Sequence, residues 1–224
     1  MTITALTTYR SLEFPNLLWL EAETADGVVG LGETFYAAEA VEAYIHANLA
    51  PIVLGMSAVD IEAVHYRTRP YIGFVAASTE LRARSALDIA LWDVLGKLTG
   101  QPISVLLGGR IRSQIPVYNT CAGNQYVRGT KLGTTQNFGI ASSGTDQNYE
   151  DLDRFLNDPV GLAGSLLDMG IDSMKIWPFD FAAESTQGQF ISPAELDKAL
   201  APFKAIKKEY GDRMQISAEL HGMW

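Results

Sequence analysis

The order of elements in the second half of the chain constrains its fold more than any other feature. IPVYNTCAG, SMKIWPF and MQISAELHG each have the pattern of a short strand. Two helical segments, DPVGLAGSLLDMG and SPAELDKALAPFKAIKKEYG, separate them. Strands that alternate with helices of this length form the βαβ pattern of a parallel sheet. The second half therefore predicts an α/β unit.

The first half has another order, with strands before helices. LLWLEAETADGVVGLGETF predicts a β-hairpin, because Asp26 and Gly27 supply the positive φ of a tight turn. The spacing of its glycines does not fit a phosphate-binding fingerprint. STELRARSALDIALWDVLGKLTGQP is the strongest helical pattern of the chain. Residues 1–113 therefore predict a small α+β domain.

Two shorter helices are predicted between the hairpin and the long helix. The first runs from Ala37 to Ala50, and we expect Pro51 to end it. The second lies in SAVDIEAVHYRTR, with Ser57 as its N-cap.

Composition argues against two kinds of partner, nucleic acids and anionic membranes, and leaves a local basic pocket possible. The net charge of −9 argues against a nucleic-acid or anionic-membrane surface. Cys121 is the only cysteine, so no internal disulfide can form and a reducing compartment is favoured. The start of the chain lacks a signal-peptide pattern, and no apolar run has membrane-spanning length. We expect a cytoplasmic protein.

The predicted third strand has one polar face. Parallel strands in an ordinary sheet are apolar on both faces, whereas a barrel presents polar side chains at the carboxyl ends of its strands. Lys175, on the second strand, is predicted to point toward the same mouth. The polar face consists of Gln215, Ser217, Glu219 and His221.

Lysine, glutamate and histidine at one mouth suit a definite reaction. A carboxylate can hold Mg²⁺, a lysine can neutralise a substrate carboxylate or act as a base, and a histidine can move a proton near neutral pH. Together, Lys175, Glu219 and His221 fit proton abstraction next to a carboxylate, with a metal stabilising the enediolate. From spacing alone, a structural or surface role for these residues stays open.

A polar stretch follows the first predicted strand. Residues Asn124 to Glu150 are rich in Gly, Ser, Thr, Asn and Gln, and loops of that length are often functional. The stretch leaves the carboxyl end of the strand, where it could act as a lid over the mouth. Within it, Arg128 and Lys131 either meet an anionic substrate or are ordinary surface charges.

One long segment, SALDIALWDVLGKLTGQPISVLLGGR, resembles the signature that ends the capping domain in the mandelate racemase/muconate lactonizing enzyme branch of the enolase superfamily. LWLEAETADGVVGLGET is similar to the hairpin of that domain. VYNTCAG, MKIWPFD and ISAELHG fall where the first three barrel strands of the family lie. The resemblance implies an α+β capping domain, residues 1–113. It implies the first part of a (β/α) TIM-like barrel, incomplete at about three strands, in residues 114–224.

The resemblance also implies roles for individual residues. Family members bind Mg²⁺ with three carboxylates on successive strands, and Glu219 matches the first, where most members have aspartate. Lys175 matches a lysine that contacts the substrate carboxylate. Trp177 stands where a second lysine acts as base in racemases, which weakens the case for racemization. Lys175 and Trp177 are the predicted substrate-binding residues. His221 matches the histidine that protonates the departing hydroxyl in sugar-acid dehydratases.

The resemblance thus predicts a Mg²⁺-dependent hydro-lyase that converts an aldonic or aldaric acid to a 2-keto-3-deoxy acid. There are two alternatives. One is a racemase or epimerase of the same family, which Trp177 disfavours. The other is an inactive truncated fragment that serves as a binding or assembly module. A barrel takes roughly 250 residues, and about 110 follow residue 113. We therefore expect the N-terminal part of a longer, homo-oligomeric enzyme, with this chain alone inactive and the remaining metal ligands and base beyond Trp224.

Overall fold

The computed structural model describes residues 1–71, 78–123 and 150–224. They form two compact units, Met1–Ser113 and Gln114–Trp224. The predicted lid lies outside the described residues, except for Glu150 at its end. Arg128 and Lys131 lie outside them as well. In the described part of the chain, no helix is long and apolar enough to span a bilayer.

The first unit begins with a three-stranded antiparallel sheet in chain order. Its strands are β1 (Ile3–Arg10), β2 (Leu17–Thr24) and β3 (Val29–Phe35). The turn between β2 and β3 includes Gly27, whose φ of 75° is the left-handed conformation that glycine adopts without a steric penalty. The predicted hairpin is confirmed.

The helices of the first unit follow the sheet. Their bounds are α1 (Ala38–Tyr44), a π-helical turn (Ile45–Leu49), α2 (Ala50–Val53), α3 (Ile61–Thr68), α4 (Thr79–Thr99) and α5 (Ile103–Leu106).

Two of the predicted helix boundaries are wrong. Pro51 does not end a helix. It lies near the start of α2, which continues directly from the π-helical turn, since the N–H of Ala50 bonds the carbonyl of Ile45. Ser57 does not cap α3, which begins at Ile61 after Asp60. Ser57 instead forms an isolated bridge with Thr2.

The core of the first unit forms where α4 packs against the sheet. Leu87, Leu91 and Val94 of α4 are fully or almost fully buried, as the helical periodicity predicts. Two glycines of β3 permit the close approach: a Cβ at Gly30 or Gly32 would overlap a backbone carbonyl of α4. These two glycines therefore serve helix–sheet packing rather than the hairpin turn.

The second unit contains a short parallel sheet. Strand β4 (Ser173–Ile176) pairs with β5 (Gln215–Ala218) in register, with Lys175 opposite Ser217. The predicted first strand is represented by one parallel bridge from Asn119 to Met174. The βαβ order is confirmed for β4 and β5. A barrel stays a prediction.

Helices pack around this sheet. Their bounds are α6 (Asp151–Asn157), α7 (Pro159–Asp168), α8 (Asp180–Thr186), α9 (Pro193–Tyr210) and a 3₁₀ turn (Gly211–Arg213). A capping box begins α9: Ser192 Oγ accepts from the backbone N–H of Glu195, whose carboxylate accepts from the Ser192 N–H. Helices α6 and α8 are not predicted by the sequence patterns above.

Candidate functional site

The carboxyl ends of β4 and β5 bring the predicted residues together. Strand β5 ends at Ala218, so Glu219 and His221 follow the strand rather than continuing its alternation. The N–H of Glu219 still donates to the carbonyl of Ile176 at 2.9 Å, which keeps this segment beside β4. His221 lies in the turn that follows, with a φ of 49° in the left-handed region.

Lys175 and Glu219 form an ion pair across the two strands. Lys175 Nζ lies 2.9 Å from Glu219 Oε2, and both side chains are half-buried. Nζ also lies 5.2 Å from the ring centroid of Tyr118, next to the Asn119 bridge. The hydrogen bond with Glu219 is the main reason that the pKa of Lys175 is raised. Lys175 is therefore a cation, as binding of an anionic substrate requires.

The carboxylate of Glu219 is held at both oxygens. Oε1 accepts the backbone N–H groups of Leu220 at 3.1 Å and His221 at 3.0 Å, while Oε2 faces Lys175. The hydrogen bond from Lys175, followed by that from the His221 backbone, lowers the pKa of Glu219 to about 2. The group is ionised at any physiological pH and is suitably charged for a metal ligand.

His221 is fixed by a residue that the sequence patterns did not identify. Its Nδ1 lies 2.8 Å from Oδ2 of Asp180, the first residue of α8. Asp180 is 1% exposed, and burial raises the pKa of its carboxyl group although the neighbouring His221 opposes the shift. One signal pointed to it: Asp180 closes the MKIWPFD segment and follows the same strand end as Lys175.

Trp177 lies beneath the histidine rather than in the open mouth. Strand β4 ends at Ile176, and the Trp177 side chain is 4% exposed. Its ring centroid is 4.9 Å from that of His221 and 6.3 Å from that of Phe155. The structure therefore places all four predicted site residues in one cluster, with Trp177 as its buried floor. Their catalytic and binding roles stay predictions.

The donor set fits a partial metal site. A carboxylate has about four lone-pair positions, and Glu219 uses three for Lys175 and two backbone N–H groups. One position remains for a cation, and Mg²⁺ commonly takes one or two protein carboxylates together with water and substrate oxygens. Within residues 1–71, 78–123 and 150–224, no group of three or more His, Cys, Asp or Glu side chains could hold a metal ion.

Cys121 is buried behind the strand ends. Its backbone N–H donates to Asn119 Oδ1 at 2.7 Å, and its φ is 50°. Burial, with a smaller contribution from the charge of Asp151, raises the pKa of the thiol to about 12. The pattern is that of an inert structural cysteine rather than a nucleophile.

We expect iodoacetamide at pH 8 to leave Cys121 unmodified in the folded protein and to alkylate it after unfolding in urea. At a pKa of about 12, roughly one thiol in 10⁴ is ionised at that pH. Because the folded pKa lies above the ordinary value of 9.0, this group lowers stability as pH rises from about 9 toward 12. Peptide mapping measures the labelling, and rapid modification of the folded protein would contradict the assignment.

The first unit is similar to a known domain family. Residues 4–108 match the family model described as mandelate racemase / muconate lactonizing enzyme, N-terminal domain. The match covers slightly less than half of the chain and lies almost entirely within the first unit. The predicted resemblance to this branch of the enolase superfamily is confirmed.

Individual relatives extend the similarity. A D-galactonate dehydratase from Verminephrobacter eiseniae is 36% identical over 130 residues, 56% of this chain and 32% of the relative. An enolase of the mandelate racemase subgroup from Agrobacterium tumefaciens has a TM-score of 0.80 and 43% identity, covering 100% of this chain and 51% of that chain. An enolase from Sargasso Sea environmental sequencing has the same TM-score and 42% identity, covering 100% of this chain and 52% of that one.

The lengths differ between this chain and its relatives. The chain spans about a third of the length of the curated relatives it matches and about half of the solved structures. The similarity to the two solved structures covers both units of this chain.

Proposed function

We propose that this chain is the N-terminal part of a Mg²⁺-dependent sugar-acid dehydratase. The observation that carries the proposal is the cluster of Lys175, Glu219 and His221 at the carboxyl ends of two parallel strands. The similarity to relatives named D-galactonate dehydratase supports the same class of substrate. In this proposal, a TIM-like barrel is completed beyond Trp224 and the enzyme is a cytoplasmic homo-oligomer.

Lys175 binds the carboxylate of the sugar acid. An ammonium group has three N–H donors, and the ion pair with Glu219 uses one of them. The ring of Tyr118 faces the same ammonium group and helps to hold it in place. Lys175 therefore fixes the substrate so that its α-carbon and β-hydroxyl lie over the strand ends. Trp177 contributes a rigid apolar floor beneath His221.

His221 serves as the general acid. A base outside this chain removes the α-proton, and the electrons of the broken C–H bond move into the enediolate. As the double bond between the α- and β-carbons forms, the β-hydroxyl departs and takes a proton from His221, leaving as water. The resulting enol becomes the 2-keto-3-deoxy acid. When bound by Glu219 and further carboxylates, Mg²⁺ supplies charge neutralisation for the enediolate.

Two other functions would give different experimental outcomes. A racemase or epimerase needs a base on each face of the α-carbon, and Trp177 stands where the resemblance places the second lysine. A binding or assembly module has no turnover. The complete native protein distinguishes the three: dehydration, exchange of the α-proton alone, or neither.

We expect the complete native protein, with Mg²⁺ and a panel of aldonic and aldaric acids, to form a 2-keto-3-deoxy acid. D-Galactonate is the first acid to test. Semicarbazide traps the keto product for detection by absorbance, and chelation of the metal should abolish its formation. Deuterium incorporation at the α-carbon of recovered substrate without a keto product would favour the epimerase instead.

A further inference from the structure

The buried carboxylate of Asp180 contacts a ring nitrogen of His221. Asp180 is 1% exposed, and its Oδ2 lies 2.8 Å from Nδ1 of His221. Within the described residues, its Oδ1 has no hydrogen-bond partner. Burying a carboxylate costs free energy unless the group is paired. In the described structure, Asp180 is paired with the imidazole of His221. The contact joins the start of α8 to the turn after β5, 41 residues apart.

His221 is held on three sides. Asp180 faces one ring nitrogen. The ring centroid of Trp177 lies 4.9 Å from that of His221, and the backbone N–H of His221 donates to Glu219 Oε1 at 3.0 Å. The backbone of His221 has a positive φ of 49°. A carboxylate that accepts from Nδ1–H selects the tautomer in which the proton of the neutral ring lies on Nδ1. Proton exchange with a substrate then takes place at Nε2.

We propose that Asp180 is a positioning residue for His221, setting the ring orientation and tautomer so that Nε2 is the atom that delivers a proton to the departing hydroxyl of the substrate. This inference rests on the function proposed above. Asp180 lies at the start of α8, which follows β4, whereas His221 lies in the turn that follows β5. The two segments therefore form one functional pair across the parallel sheet.

The test uses Asp180→Ala, Asp180→Asn and Asp180→Glu in the complete native protein. We expect Asp180→Ala to lower kcat for dehydration by roughly 10- to 100-fold, by analogy with carboxylates that orient metal-binding histidines. KM should stay within about twofold, because Lys175 still binds the substrate carboxylate. Asp180→Asn keeps the shape of the side chain and should show a comparable loss, and Asp180→Glu should recover part of kcat.

The matched control is Asp88→Asn. Asp88 also pairs with a histidine, since its Oδ1 lies 3.3 Å from His65 Nε2, but the pair belongs to the first unit. This variant should keep kcat and KM. An unchanged kcat in both Asp180→Ala and Asp180→Asn, or an equal loss in Asp88→Asn, would overturn the proposal.

A second readout does not depend on activity. ¹⁵N NMR of the imidazole in alkaline buffer reports which nitrogen of His221 carries the proton, with His221→Asn identifying its signals. We expect the Nδ1–H tautomer in the wild-type protein and a shift toward Nε2–H in Asp180→Ala. If the wild-type protein dehydrates no sugar acid, the proposed function fails, and the spectrum alone decides whether Asp180 sets the ring. An unchanged tautomer would overturn the inference.

Discussion

Replacing His221 by asparagine in the complete native protein should lower kcat for dehydration by about 10²–10⁴-fold, the range that a general acid contributes. Asparagine can neither release nor take up a proton at neutral pH, so the β-hydroxyl would have to leave as hydroxide. KM should change little, because Lys175 still binds the substrate carboxylate. The rate of keto-acid formation measures the effect.

His65→Asn is the control for this substitution. His65 is also paired with a carboxylate, Asp88, yet it belongs to α3 in the first unit. We expect that variant to retain wild-type kcat. Full dehydratase activity in His221→Asn would show that the proton comes from another group, and the role assigned to His221 would be wrong.

The second large effect concerns stability. Gly32→Ala should destabilise the first unit by about 3 kcal/mol or more, at or beyond the upper end of the usual cost of overpacking. The added Cβ would overlap the backbone carbonyl of Ala86 in α4, and a carbonyl within a helix cannot rotate away as a flexible side chain can. Relief of the overlap would require β3 and α4 to separate, which exposes the apolar face of the helix.

Hydrogen exchange followed by mass spectrometry measures this effect in the peptides of α4. Gly32→Ala should speed the exchange of amides from Thr79 to Thr99 strongly. The control is Leu31→Ala, one residue earlier on β3, whose side chain is 48% exposed. That substitution should leave exchange in α4 nearly unchanged. Equal exchange in the two variants would contradict the close packing of β3 against α4.

The sequence predicts the parts of the first unit that depend on local signals. The hairpin follows from Asp26-Gly27 between two apolar runs, and α4 follows from its apolar stripe and the glycine at its end. Pro51 misleads because the helical backbone continues through it, from the π-helical turn into α2. The role of Gly30 and Gly32 depends on which helix lies over β3, which no local pattern specifies.

In the candidate site, too, some features follow from local sequence signals and others depend on how the elements pack. Lys175 and Glu219 could be expected to meet because the carboxyl ends of parallel strands share one edge of a sheet, and the ion pair between them is present. Asp180 follows the same strand end as Lys175, but its pairing with His221 could not be predicted from that position alone. It comes from the helix after β4, and its contact with His221 depends on a positive φ at His221 and on the way α8 packs. The burial of Trp177 likewise follows from β4 ending one residue earlier.

The most direct measurement of the central claim is ¹H NMR of a sugar acid incubated in D₂O with the complete native protein and Mg²⁺. We expect loss of the substrate signals and growth of those of a 2-keto-3-deoxy acid with deuterium at carbon 3, because the enol takes its new proton from solvent. Recovery of substrate that carries deuterium only at its α-carbon, or of unchanged substrate across the whole panel of acids, would contradict it.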